Sequence, residues 1–216
     1  MDGKNQIPGI LYRAFSNIEY ARDFTEQGLF CMGTPDYYKN IEDQKRRDIT
    51  EGTGHIKTPG DVDVITLNDQ GKVTKVSTKP DIINHQAEHL NCKYLLCCSG
   101  PEVDIDYLED NLGAYIVRIN DPVRLTGDIT DCLHANGIPV IGKPDWIKVR
   151  YDKGLFVEEL FNGYQLSELS FSQKEPGFSR ENEYRLVVMM KSISDCDDHL
   201  WIKMKCGLDY VEHLQL

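Results

Sequence analysis

Strand-like sequence far outweighs helical sequence in this chain, and that imbalance fixes the class of fold open to it. Apolar runs at residues 10–15, 29–32, 93–99 and 114–119 carry the branched, aromatic and leucine side chains that suit a pleated surface. Residues 62–76 read as a hairpin turning at Asn68-Asp69-Gln70-Gly71, 140–141 and 146–151 as short strands, and 199–205 as the strand that finishes the sheet. Helices are expected over about 16–27, 37–47 and 121–136, with a further piece at 155–160. Ser16 is placed as the N-cap of the first, with Glu19 completing a capping box and Gly28 ending it. Asp121-Pro122 opens the third and Gly137 closes it. A doubly wound parallel sheet needs a helix between most strands, and those helices are missing. The pattern therefore predicts an α+β fold: a mixed or split, curved β-sheet with few flanking helices.

No period of 20–50 residues repeats, and the 216 residues are expected to form a single domain over 1–216. A hydrophobic content of 40% suffices for one core. The formal charge of −11 disfavours broad adhesion to nucleic acid or to an anionic membrane, leaving Lys45-Arg46-Arg47 as a local cationic strip. No apolar run approaches the roughly 20 residues of a membrane helix, and the first residues lack the apolar segment of a secretory signal. Seven cysteines make an odd count with no C-x-x-C pair, as expected of reduced thiols in a cytoplasmic protein.

Two short stretches carry the chemistry. Near the start, Ile10-Leu11-Tyr12-Arg13-Ala14-Phe15 is an apolar strand with a cation set in it. Near the end, Phe178-Ser179-Arg180-Glu181-Asn182-Glu183-Tyr184-Arg185 places two acids at i, i+2 at the mouth of a strand. Strand alternation puts Glu181 and Glu183 on one face, and Arg185 beside Glu183 as a neutralising partner. A carboxylate can stabilise the positive charge that builds on a sugar as a leaving group departs from it, as glycosidases do. A planar guanidinium suits phosphate, which it grips through two parallel hydrogen bonds.

Tyr12-Arg13 early and Glu181-Asn182-Glu183 late resemble the ADP-ribosyltransferase superfamily in its Arg–Ser–Glu subclass. The chain is also similar, over most of its length, to a broad group of bacterial proteins sharing Tyr-Arg, a Cys-x-Ser strand end and Phe-Ser-x-Glu-x-Glu-aromatic-Arg. The first resemblance implies an ADP-ribosyltransferase-like fold with NAD as substrate. It casts Arg13 as the grip on the diphosphate, Tyr12 as a ring near the nicotinamide or ribose, Glu183 as the catalytic acid and Glu181 as the acid on the acceptor side. Residues 171–178 would present the acceptor, a protein, RNA or DNA. The subclass carries Ser-Thr-Ser on a middle strand, and this chain has none. Ser99 is the preferred substitute, with Thr34, Ser170 and Ser172 as alternatives. The resemblance further implies a toxin or anti-phage effector with a neutralising antitoxin protein, and no membrane partner. The alternative is a non-catalytic interaction or sensor module of a defence system.

Two metal-based readings compete. His85-Gln86-Ala87-Glu88-His89 is an H-x-x-E-H string; on a helix, His85 and His89 share a zinc ion, with Glu88 as base and Glu158, Glu159 or Cys92 as a further ligand. Glu42, Asp43, Asp48 and Glu51 supply acids for a metal-dependent nuclease, though without the usual Asp, Glu-x-Lys spacing. Neither is preferred, and no metal is expected. Trp146, Trp201 and Tyr37-Tyr38 read as core or loop-anchoring aromatics. The five acids of residues 102–110 read as a solvated helix face.

Overall fold

The computed structural model describes residues 7–40, 93–151, 172–190 and 197–214, and the backbone alone of strands at 53–57, 62–67, 73–78, 82–86 and 155–156. In chain order the elements are β1 (Leu11–Phe15), α1 (Ile18–Gln27), β2 (Leu29–Gly33), α2 (Pro35–Asn40), β3 (Thr53–Lys57), β4 (Val62–Leu67), β5 (Val73–Thr78), β6 (Ile82–Gln86) and β7 (Lys93–Ser99). There follow α3 (Ile105–Asn111), β8 (Tyr115–Ile119), α4 (Pro122–Ala135), β9 (Asp145–Lys148), β10 (Leu155–Phe156), a 3-10 helix (Pro176–Glu181), β11 (Glu183–Met189), β12 (His199–Lys203) and β13 (Val211–His213). The fold is α+β, with a mostly antiparallel, open sheet and few helices.

Eight strands form the main sheet in the order β12-β2-β7-β1-β8-β13, with β11 on the other side of β7 and β9 beyond it. Strand β7 meets β11 along seven registered pairs, but meets β1 only at Tyr12↔Ser99 and β2 only at Gly33↔Leu95. The sheet is therefore split along one edge of its central strand, and the split lies at Cys97.

One main core closes the sheet. Leu125, Ile129 and Leu133 of α4 and Ala21 and Phe24 of α1 are fully buried against the apolar side chains of β2, β7, β11 and β12. Each such leucine or phenylalanine contributes about 1.5–3 kcal/mol by burial. Trp146 lies in this core, its indole N–H donating to Thr126 Oγ1 at 2.8 Å. Helix α1 stops at Gly28, which takes φ +58°, and a Cβ there would lie 2.5 Å from Met204 Cβ. Only glycine meets both demands.

Several expectations need correction. The cap of α1 is Asn17, not Ser16: its side chain accepts from the Glu19 N–H at 2.9 Å, and Glu19 pairs with Arg22 instead of closing a capping box. Asparagine caps at least as well as serine, and the shift turns Ala21 and Phe24 into the core. Helix α2 begins at Pro35 and is described to Asn40; residues 41–47 lie outside the described residues. Residues 155–156 form a strand parallel to β3 where a helix was expected. Strand β12 is one edge of the main sheet, with β9 and β13 as its further edges, and the three residues of β13 are too short to show a period. His85 lies in strand β6, paired with Gly54, so the helical spacing required for zinc fails at its first ligand. Glu88, His89, Cys92, Glu158 and Glu159, like Glu42, Asp43, Asp48 and Glu51, lie outside the described residues. Among the described residues no group of three or more His, Cys, Asp or Glu side chains is placed to hold a metal ion, and no helix is long and apolar enough to cross a membrane.

Candidate active site at the split of the sheet

The split leaves part of β7 without a strand neighbour, and two side chains fill the opening. Arg13 donates from its guanidinium to the Cys97 carbonyl at 2.8 Å, and Tyr38 donates its hydroxyl to the Leu95 carbonyl at 3.2 Å. Backbone carbonyls in a half-buried gap demand such partners, which explains why a charged residue is tolerated inside an apolar strand. The Arg13 guanidinium also lies over the Phe15 ring at 5.3 Å. Its Nε is buried and has no hydrogen-bond partner among the described residues.

Glu183 opens β11 directly opposite Ser99, and Ser99 is in turn opposite Tyr12. One buried serine at the end of the central strand thus stands between the two stretches singled out in the sequence. The turn that brings Glu183 there is tight. Asn182 adopts φ 43°, and its carbonyl accepts from the Gly100 N–H at 2.8 Å. A Cβ at Gly100 would lie 2.7 Å from the Tyr184 ring and 2.8 Å from the Asn182 amide, so this crossing requires glycine. Tyr151 holds the start of the strand by accepting from the Glu183 N–H at 2.7 Å.

Glu181 is not a strand residue. It ends the 3-10 helix, and the left-handed Asn182 separates it from β11, so strand alternation does not relate the two acids. Lysine relates them instead. Lys174 Nζ lies 2.7 Å from Glu181 Oε2 and 3.2 Å from Glu183 Oε2. Its own segment is fixed by backbone bonds with Arg150, and its ammonium lies over the Phe178 ring at 4.5 Å. Arg185, fully buried, reaches Glu183 through Nε at 2.9 Å and through a terminal nitrogen at 3.3 Å.

These partners pull the two acids apart. Burial raises the carboxyl of Glu183, but Arg185 and then Lys174 outweigh it and hold Glu183 well below the usual carboxylate range. Burial dominates at Glu181, whose pKa rises to about 7 despite Lys174, with the Glu183 charge adding to the rise. One acid stays ionised while the other exchanges a proton near neutrality, the division of labour that acid–base chemistry requires. Tyr38 is raised well above its ordinary value, chiefly by burial, and Cys98 is pushed up by burial to about 11. Neither supplies an anionic nucleophile.

Arg13, Ser99, Lys174, Glu181, Glu183 and Arg185 line one small cavity of about 80 Å3, with Tyr12 at its wall. Three cations face two carboxylates there, one of them near half-protonation at neutral pH, so the cavity favours an anion within a chain of net charge −11. A second cavity of about 260 Å3 shares Arg13, Ala14 and Tyr38 with the first. All five site residues expected from the sequence are therefore brought together, although Tyr12 also packs on the Val103, Leu108 and Ile116 cluster. Of the alternatives to Ser99, Thr34 caps α2 by accepting from the Tyr37 N–H at 3.1 Å, Ser172 is buried with no hydroxyl partner among the described residues, and Ser170 lies outside the described residues.

Lys174, Tyr38 and Tyr151 were not read as site residues. Lys174 had a faint signal, a cation inside the segment assigned to acceptor presentation; the tyrosines had none, since long-range packing alone brings them in. No family model, curated protein or solved structure matches the chain.

Proposed function

We propose that this chain is an NAD-dependent ADP-ribosyltransferase. The observation that carries the reading is that Arg13 and Glu183, from opposite ends of the sequence, line one cavity with Ser99 in register between them. The split sheet suits an ADP-ribosyltransferase-like frame, with the substrate entering where β1 and β2 part from β7. Arg13 binds the diphosphate, and its Nε–H, without a hydrogen-bond partner among the described residues, is a donor for it. Glu183, kept ionised, stabilises the ribosyl cation as the C1′–N bond breaks and its electron pair leaves with nicotinamide. The acceptor's nucleophile then bonds to C1′ and releases a proton, which Glu181 is poised to take. Lys174 must leave Glu183 Oε2 for that carboxylate to face the sugar, while Arg185 keeps it in place through Nε on Oε1 and a terminal nitrogen 3.3 Å from Oε2. The acceptor is protein, RNA or DNA. A cytoplasmic toxin or anti-phage effector, restrained by an antitoxin protein, fits such an activity.

One observation favours a second reading. Both oxygens of Glu183 already have cationic partners, as in a site that binds without turnover. Nicotinamide release separates the two. On the transferase reading Glu183→Gln lowers it by at least about 100-fold, the size of effect seen when a charge-stabilising group is removed. Equal release by wild type and variant, at the level of the uncatalysed reaction, assigns the chain to a sensor or interaction module.

A further inference from the structure

The 3-10 helix that delivers Glu181 has little in its own sequence to hold it. Its hydrogen bonds run from i to i+3, a poorer geometry seldom kept for more than three or four residues, yet it spans six, Pro176–Glu181. Glu175 precedes it without a side-chain cap. Pro176, Gly177, Ser179 and Arg180 are exposed and Phe178 is half-buried, so the helix has almost no apolar face to pack. Glu181 nevertheless ends it only 3% exposed, with Oε1 buried and lacking a hydrogen-bond partner among the described residues. An orphaned buried oxygen favours any movement that lets water reach it. Something outside the helix must oppose that movement.

Arg180, the residue before Glu181, reaches α3. Its guanidinium donates to Asp104 Oδ2 at 2.7 Å and lies over the Tyr107 ring at 4.4 Å. Asp104 is already committed to α3: it is the N-cap, and its Oδ1 accepts from the Tyr107 N–H at 3.4 Å. One carboxylate thus caps one helix and receives the cation of another. Helix α3 is a firm anchor, because Leu108 is fully buried and Leu112, at its C-cap, lines the small cavity. An exposed ion pair alone contributes little. Here the contact with the ring and the pre-fixed acceptor add to it, next to the one residue of the helix that is buried.

We infer that Arg180 is a positioning residue of the site: its pairing with Asp104 and Tyr107 locks the 3-10 helix onto α3 and keeps Glu181 turned into the cavity beside Lys174. The assignment rests on the transferase reading only for what Glu181 then does, which is to take the acceptor's proton. The titratable and charged groups facing Glu181 are Lys174, Glu183, Arg185 and Arg13 around the cavity, Tyr107 from α3 and Tyr151 from the segment after β9. Sign separates positioning from simple electrostatics. Removing a cation near a carboxyl raises its pKa, whereas admitting water to a carboxyl raised chiefly by burial lowers it.

The experiment follows the Glu181 carboxyl by carbon-13 NMR in the substrate-free full chain, its resonance assigned by loss in Glu181→Gln. The wild type is expected to titrate at about 7. Arg180→Gln and Asp104→Asn are each expected to weaken proton binding at Glu181 by at least about 10-fold, and the double variant by no more than either alone. Asparagine caps a helix as well as aspartate does, so Asp104→Asn leaves α3 intact. Arg180→Lys, which keeps a cation for Asp104, is expected to lie nearer the wild type. Both side chains are largely exposed, so melting temperatures should move by no more than about 4 °C. Tighter or unchanged proton binding at Glu181 in Arg180→Gln, or single effects that add in the double variant, would overturn the assignment. So would a larger fall in melting temperature shared by both single variants, since the pair would then hold the fold and not the acid. Weakened proton binding in a chain that never cleaves NAD upholds the positioning role and removes the transferase reading.

Discussion

Replacing Arg185 with Met tests how the buried carboxylate is held. The substitution keeps a long apolar side chain but leaves Glu183, 4% exposed, with Lys174 as its remaining cationic neighbour at 3.2 Å. Removing one partner of a buried ion pair costs about 3–5 kcal/mol, because the other charge stays desolvated. At roughly 2–4 °C per kcal/mol for a chain of this size, the melting temperature falls by roughly 6–20 °C. The pH dependence sharpens the test. In the wild type Glu183 is held below its ordinary value of 4.5, so its contribution to stability is present above that value and is lost as the pH falls through the folded pKa. In the variant, burial is opposed by Lys174 and the Cys97 hydrogen bond without Arg185, and the folded pKa rises. Once it passes 4.5, protonation of Glu183 favours the folded state. Urea unfolding of both proteins at pH 7 and pH 5 should show a stability gap that narrows at the lower pH. A gap below about 1 kcal/mol at pH 7, or one that does not change with pH, would refute the electrostatic account of the site, since surface pairs contribute no more than that.

Glu181 gives the opposite sign. Its folded pKa, about 7, lies above the ordinary 4.5, so stability is lost as the pH rises from the lower value through the higher. Glu181→Gln should therefore match the wild type near pH 5 and exceed it at pH 8 in chemical unfolding. At the crossing of β7 and β11, Gly100→Ala should cost about 1–3 kcal/mol by overpacking against Tyr184 and Asn182, with a matching loss of ligand binding because Ser99 and Glu183 shift. Tyr38→Phe removes the donor to the Leu95 carbonyl and should cost about 1–3 kcal/mol, read from the same unfolding curves.

Local signals carried the frame. The apolar runs that became β1, β2, β7 and β8, the helix ended by Gly28 and the helix opened by Asp121-Pro122 all depend on neighbours in sequence, and all lie where the pattern put them. The pairing of Arg185 with Glu183 was legible for the same reason, since two residues apart on a strand is one step along one face. The acid pair was read correctly as a pair and incorrectly as a strand. Nothing local announces that Asn182 turns left-handed; that conformation is set by its carbonyl meeting Gly100, 82 positions away in the chain by residue number. Lys174 is drawn between the acids by backbone bonds to Arg150, a contact no periodicity encodes. Trp201 reads from the sequence as a core or loop-anchoring aromatic. It lies instead on an edge strand with its ring turned toward a cavity, and which face of an edge strand meets solvent is decided by the layers stacked on the other side.

Transfer of label from adenine-labelled NAD into a cell extract, by wild type and by Glu183→Gln, tests the central claim most directly. The account predicts a labelled macromolecule and stoichiometric free nicotinamide with the wild type, and neither with the variant. Nicotinamide release without a labelled acceptor would reduce the activity to NAD hydrolysis, and equal behaviour of the two proteins would contradict the claim that Glu183 carries the chemistry.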